Sequence, residues 1–307
     1  MKPDSPQTTS LFTKKDLLVT SAISVAYLLL SYLLIGFKPE QLFLVILFNI
    51  LYYASQATRS FIVGFSIFII YWIIYDYMKA FPNYRYNAVH IQDLYNAEKS
   101  IFGIHAANGA VLTPNEWWLQ HTSSFLDVLT GAFYLCWVPV PLLFAAFLFY
   151  KNRKMFYLFC LTFLFVNLLG FVVYYIYPAA PPWYVQEHGF DFIQGTPGNT
   201  AGLHRFDDYF GVTIFKSLYA KGSNVFAAMP SLHSAYPAIV LYYGIKSRLG
   251  WFNIVFAIIT AGIWFAAVYT SHHYVLDVLA GITCAAVGIF LFEKMVKWRE
   301  ARKACRK

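Results

Sequence analysis

Residues 251–298 read WFNIVFAIITAGIWFAAVYTSHHYVLDVLAGITCAAVGIFLFEKMVKW, two long apolar runs joined by Thr270-Ser271-His272-His273. A helix rises about 1.5 Å per residue, so roughly 17 to 25 apolar residues cross the hydrocarbon of a bilayer. Runs 251–269 and 274–298 both meet that requirement, and the short join makes them antiparallel neighbours. Working outward, similar runs occupy 17–37, 60–77, 125–150 and 155–176. Shorter or more polar ones at 41–57 and 231–243 are needed to connect their neighbours. The expectation is an all-α polytopic membrane bundle of about eight transmembrane helices, forming one integral membrane domain over 1–307. The composition agrees: 59% of residues are hydrophobic and only 12% are charged, about half the charged fraction usual for a soluble domain.

A net charge of +8 from 23 Lys+Arg against 15 Asp+Glu raises the question of a nucleic-acid partner. Placement answers it. With the N-terminus inside, Lys2, Lys14 and Lys15, Arg59, Lys151, Arg153 and Lys154, Lys246 and Arg248, and seven residues from Lys294 onward fall on one side. Sixteen of the 23 are therefore on that side, and only seven, spread over much longer loops, are on the other. Positive residues are retained in the cytoplasm, so the excess serves orientation and implies no nucleic acid. Both termini are expected to be cytoplasmic, and the compact chain with short tails suggests a bacterial inner membrane. Lys14 and Lys15 precede the first run as in a signal peptide. About twenty apolar residues without a small-residue cleavage site read instead as an anchor.

Two long loops, 78–124 and 177–230, then lie outside. Cys136, Cys160 and Cys284 sit in spans and Cys305 in the tail, so the sequence offers neither loop a disulfide, and no Cys/His spacing suits zinc. In the first loop Ile91, Leu94, Tyr95, Ile101 and Phe102 recur at helical spacing opposite Gln92, Asp93, Asn96 and Lys99. That pattern fits a helix in the membrane interface or one packed in an outer cap. Thr113-Pro114-Asn115-Glu116 reads as a helix start with N-cap, first-turn proline and capping-box glutamate, leading into Trp117 and Trp118. Gly195, Pro197, Gly198 and Gly202 predict a mobile middle for the second loop.

Ionisable groups inside spans are costly and therefore candidates for function. Pro230-Ser231-Leu232-His233-Ser234 opens the sixth span and Ser271-His272-His273-Tyr274-Val275-Leu276-Asp277 the eighth. Two crossings separate them, so His233 and His273 face the same side at similar depth. His273 and Asp277 are i and i+4, stacked on one helix face. A carboxylate there holds one ring nitrogen as N–H and leaves the other nitrogen's lone pair free, as a nucleophilic histidine needs. His233 could move a proton on the far side of a reacting centre. Ser231 and the first N–H groups of its helix could bind an anion. Together these describe phosphoryl transfer through a phosphohistidine. Taken singly, each has a plainer reading: a buried structural pair for His273 and Asp277, a helix-end residue for His233, and a loop hydrogen-bonder for His272.

These residues resemble the type 2 phosphatidic acid phosphatase superfamily. Its second motif, Pro-Ser-Gly-His, is similar to Pro230-Ser231-Leu232-His233, and its third motif ends in His-x-x-x-Asp, like His273 to Asp277. The resemblance implies a six-helix core, His273 as nucleophile, Asp277 as its orienter, His233 as general acid, and neither metal nor cofactor. The superfamily's first motif, Lys-x6-Arg-Pro, is replaced by Tyr177-Pro178-Ala179-Ala180-Pro181-Pro182-Trp183-Tyr184, and the third-motif arginine by Ala267. Three phosphate-binding cations are thus missing, a loss that matters more for a phosphomonoester dianion than for a phosphodiester monoanion. The altered motifs, with Ile91 to Glu98 and Ile101-Phe102-Gly103 upstream, resemble the inositol phosphorylceramide synthase branch over about 85–281.

That branch implies transfer of phosphoinositol from a phosphatidylinositol-type donor to a ceramide-type acceptor, both membrane lipids. Ser231, Tyr177, Trp183 and Tyr184 are the candidate substrate-binding residues, and exclusion of water would favour transfer over hydrolysis. Two alternatives use the same residues. One is an extracytoplasmic phosphatase for phosphatidate or a polyprenyl pyrophosphate, against which the missing cations argue. The other is a proton-coupled carrier, which would place polar residues or helix breaks deep in several spans rather than at one face.

Overall fold

The computed structural model describes residues 12–222 and 224–304; Lys2, Cys305, Arg306 and Lys307, used above, lie outside them. The chain divides into two compact units, 1–81 and 82–307.

The first unit holds α1 (Lys14–Ile35), α2 (Pro39–Ala54) and α3 (Gln56–Tyr77). Ser55 ends α2 and caps α3, its hydroxyl accepting the N–H of Thr58 at 3.1 Å. Few side chains here are buried; Leu18 and Leu33 are more than 70% exposed, as expected of surfaces solvated by lipid. What polar groups there are pair among themselves: Thr20 with Tyr53 at 2.8 Å, Ser31 with Tyr77 at 2.9 Å, and Asn49 donating to Ser24 at 3.0 Å.

The second unit contains α4 (Gln92–Phe102), α5 (Pro114–Gln120), α6 (Ser124–Leu135), α7 (Pro139–Lys151), α8 (Arg153–Ile176), α9 (Pro182–His188), α10 (His204–Phe210), α11 (Ile214–Tyr219), α12 (Leu232–Lys246), α13 (Phe252–Tyr269) and α14 (Val275–Ala304). Helices α6, α7, α8, α12, α13 and α14 form the bundle, with α12 in contact with α7, α8, α13 and α14.

Helices stand at all eight expected places, and six stretches among the described residues are long and apolar enough to cross a membrane. The expected spans 41–57 and 231–243 are helices of 16 and 15 residues, about 22 to 24 Å long and shorter than the hydrocarbon. The expected span 125–150 is interrupted at 136–138 between α6 and α7. Pro139 and Pro141 supply no N–H, so two bonds of the helical ladder cannot form there, and the chain turns tightly with Cys136 N–H donating to Phe133 O at 3.0 Å.

The two long loops, 78–124 and 177–230, are folded together. His90 N–H donates to Pro178 O at 2.8 Å, Ala180 N–H to His90 O at 3.0 Å and Ala179 N–H to Phe226 O at 2.9 Å, making bridges His90–Ala179 and Ala179–Ala227. Helix α4 is part of this cap and buries Leu94 and Glu98, Leu94 against Ala179 and Ala228. The capping box at α5 forms as expected: Thr113 Oγ1 accepts the N–H of Glu116 at 3.2 Å and Glu116 Oε2 that of Thr113 at 2.7 Å. In the second loop, 190–200 carries no helix or strand, while α9, α10 and α11 flank it.

Candidate active site

The chain leaves α13 at Tyr269 and reverses through Ser271, which has a left-handed φ of 58°. His272 and His273 both donate their backbone N–H to Ala267 O, at 3.1 and 3.0 Å. Ala267 stands where the superfamily motif has its arginine, and its carbonyl organises the turn. The turn delivers His273 to the start of α14. There its Nδ1 lies 3.5 Å from Asp277 Oδ2, and the same oxygen accepts the N–H of Tyr274 at 2.9 Å. Asp277 is fully buried and His273 only 6% exposed. A buried carboxylate with one imidazole beside it is stable only through that pairing and its hydrogen bonds.

Helix α12 brings the second histidine. Ser231 is its N-cap, with Oγ accepting the N–H of Ser234 at 3.3 Å, and the Ser231 N–H donates to the Asp277 backbone oxygen at 2.9 Å. Gly281, one turn beyond Asp277 on α14, permits this approach: a Cβ there would stand 2.1 Å from Ser231 O. As a result His233 Nδ1 lies 3.2 Å from His273 Nε2. Nδ1 also lies 3.1 Å from the hydroxyl of Tyr134, a fully buried side chain in the last turn of α6. Trp137, in the break after α6, meets the His233 ring edge-on at 4.5 Å.

The cap formed by the two long loops holds this assembly in place. Asn115 donates through Nδ2 to Val268 O at 2.8 Å and to His273 O at 3.0 Å. Glu98, fully buried, accepts the N–H of Val275 at 2.9 Å and of Leu276 at 3.0 Å. These are donors that a helix start leaves unpaired, and a carboxylate there also meets the positive end of the helix dipole. Burial pushes the Glu98 carboxyl up to about 7, and the nearby Asp277 charge adds to the rise.

His233, His273, Asp277 and Ser231 are thus brought together. The other candidates are placed differently. Tyr177 stacks on His90 with ring centroids 3.7 Å apart. Trp183 donates its backbone N–H to Ser271 O at 3.0 Å, supporting the turn before the histidines. The Tyr184 hydroxyl accepts the N–H of Ile193 and donates to Asp191 O, at 2.8 and 2.6 Å. Both rings belong to an apolar cluster with Ile91, Ala180 and Phe226, so the observed contacts of the first-motif aromatics are architectural. His272 is buried, with Nδ1 3.1 Å from Thr270 Oγ1. Sequence reasoning missed Tyr134, Asn115 as a clamp, and Glu98. Only Glu98 carried a signal, as an acid on the apolar side of an amphipathic helix, in line with Ile91 and Leu94.

Comparison with known proteins places this geometry. The model of the PAP2 superfamily matches residues 103–291, which hold both histidines, Asp277, Ser231, Asn115 and Tyr134. The chain belongs to the PAP2 superfamily. Within that superfamily it is 48% identical over 283 residues to the phosphoinositol dihydroceramide synthase of Bacteroides thetaiotaomicron, covering 92% of each chain. It is 29% identical to the inositol phosphorylceramide synthase of Candida albicans over 56% of this chain and 36% of that one. It is 28% identical to the catalytic subunit of inositol phosphorylceramide synthase of Saccharomyces cerevisiae over 81% and 62%. The branch indicated by the motifs is therefore the one to which these PAP2 relatives belong. No solved structure matches the chain.

Proposed function

We propose that this chain transfers phosphoinositol from a phosphatidylinositol-type donor to the primary hydroxyl of a ceramide-type acceptor, through a phosphohistidine on His273. The observation that carries the proposal is the His233–His273–Asp277 array: Nδ1 to Nε2 at 3.2 Å and Nδ1 to Oδ2 at 3.5 Å. With Asp277 holding the proton on Nδ1, the His273 Nε2 lone pair attacks phosphorus. The bond from phosphorus to the diacylglycerol oxygen breaks, and His233 gives that oxygen its proton. In the second half the ceramide-type hydroxyl attacks, the phosphorus–nitrogen bond breaks, and the hydroxyl proton passes to His233. The substrates are supported by the names of the relatives and by the loss of cations at the first motif and at Ala267, which suits a phosphodiester monoanion.

The surroundings are largely apolar and buried. His233 packs against Tyr134 and Trp137, Trp137 in turn stacks on Tyr236, Asp277 and Ser231 are fully buried, and excluding water favours transfer over hydrolysis. The basic-residue bias supports cytoplasmic termini and a site at the extracytoplasmic face of the membrane.

The test is to incubate membranes containing the protein with labelled ceramide and phosphatidylinositol and to separate the lipids. Label is expected in a phosphoinositol-bearing sphingolipid, and is expected to be lost in His273→Ala. Phosphate released from phosphatidate with no lipid acceptor would replace this reading by the phosphatase.

A further inference from the structure

Resting on that reading, we propose that Tyr134 is a further catalytic residue, its hydroxyl donating a hydrogen bond to a nonbridging oxygen of the phosphoryl group in flight. Three atoms from two helices and a turn converge: the Tyr134 hydroxyl on α6, His233 Nδ1 on α12 and His273 Nε2 in the turn before α14. The first lies 3.1 Å and the third 3.2 Å from the second. In the resting site the two histidines bond to each other. A phosphoryl group attacked by Nε2 and relieved of its leaving oxygen by His233 must replace that bond, with phosphorus between the rings. The Tyr134 hydroxyl already reaches one edge of that position, so an oxygen of the entering group comes within its range.

The chemistry explains why a phenol stands there. The sequence lacks the three cations that bind phosphate elsewhere in the superfamily, and negative charge on the nonbridging oxygens still has to be met. A phenol O–H donates without carrying a charge into a fully buried position, where an unpaired cation would be expensive. Tyr134 has no exposed surface. Its ring is held by Phe215, Leu203 and Phe206 in one apolar cluster, and Tyr219 donates to its oxygen at 3.5 Å. A fixed donor aimed at developing charge stabilises the transition state without reorganising at the moment of reaction. No proton leaves Tyr134 in either half-reaction; its hydrogen bond strengthens as charge builds and relaxes afterwards.

Tyr134→Phe removes one oxygen and keeps the ring. Transfer in detergent micelles is expected to fall about 10²-fold in kcat, the size seen when one such donor is lost, with KM for the donor lipid little changed. A purely structural role would lower thermal stability and raise KM as well, so both are measured on the same preparation. The sharper readout uses donors carrying sulfur in place of one or the other nonbridging oxygen. Wild-type protein is expected to discriminate between the two diastereomers, and Tyr134→Phe to lose most of that discrimination. Equal kcat in wild type and variant, or unchanged discrimination, overturns the role of Tyr134 while leaving the transferase reading intact. Absence of transfer by wild type overturns the reading itself.

Discussion

Gly281 lies directly against Ser231, and a Cβ at Gly281 would stand 2.1 Å from the Ser231 oxygen and 2.9 Å from its carbonyl carbon. Helices α12 and α14 carry the two histidines of the site, and this contact sets how close they come. Because the obstructing atoms are backbone, no side-chain rotation relieves them. Gly281→Ala should separate the helices, cost about 1 to 3 kcal/mol, and lower transfer by at least about tenfold, the equivalent of ~1.4 kcal/mol on the barrier. A variant with wild-type turnover and melting temperature would show that the separation of the histidines is set elsewhere.

Asp277→Asn keeps the shape of the side chain and removes the charge that orients His273. Loss of the orienting carboxylate beside a catalytic histidine costs about 10⁴ in turnover in the best-studied case, and a fall of at least about 10³ is expected here. Trapping of labelled phosphohistidine in acid-sensitive, base-stable form checks the step affected. The label should be present in wild type supplied with donor alone and absent in His273→Ala.

Asn115 satisfies two carbonyls, those of Val268 and His273, with one amide. Asn115→Ala leaves them without this donor, at about 1 to 3 kcal/mol for a buried group. Asn115→Asp sets a carboxylate against the same carbonyls and should be worse than alanine. Thermal unfolding in detergent ranks the three proteins, and asparagine > alanine > aspartate is the expected order.

Glu98 gives a pH dependence whose sign can be worked out. Its ordinary value is 4.5, and burial raises it to about 7 in the folded chain. Between those values the folded state holds a proton that the unfolded state has lost, so stability falls as pH rises. Its contribution is full below about 4.5 and gone above about 7. Comparison with Glu98→Gln isolates the contribution. The melting temperature of the variant should change less between pH 5 and 7 than that of wild type. Parallel curves would remove Glu98 as the source.

How far the sequence could carry the argument follows from the range of each interaction. The pairing of His273 with Asp277 is local, spanning four residues from the turn into the first turn of α14, and was visible directly. The meeting of His233 with His273 is forty residues distant, yet two membrane crossings between them leave them on the same face, so the bilayer does the work that periodicity cannot. Tyr134 had no such mark: it is one of 24 tyrosines, and its hydroxyl meets His233 from a helix far away in the sequence. The break after α6 was written in Pro139 and Pro141, which a reading based on mean apolarity passes over. The first-motif aromatics Trp183 and Tyr184 are candidates for lining the site from their place in the motif. Their packing against Phe226 and Ile91, residues of two different loops, is a contact that only the folded cap reveals.

The backbone bridges linking His90, Ala179 and Ala227 have a consequence for chain continuity. Because the first and second long loops are hydrogen-bonded to each other through main-chain groups, the covalent path through Gln194 and Gly195, both exposed, is not what holds the cap over the histidines. A single proteolytic cut there should leave the two fragments associated and still turning over, so the protein is expected to tolerate being supplied as two polypeptides divided at that point.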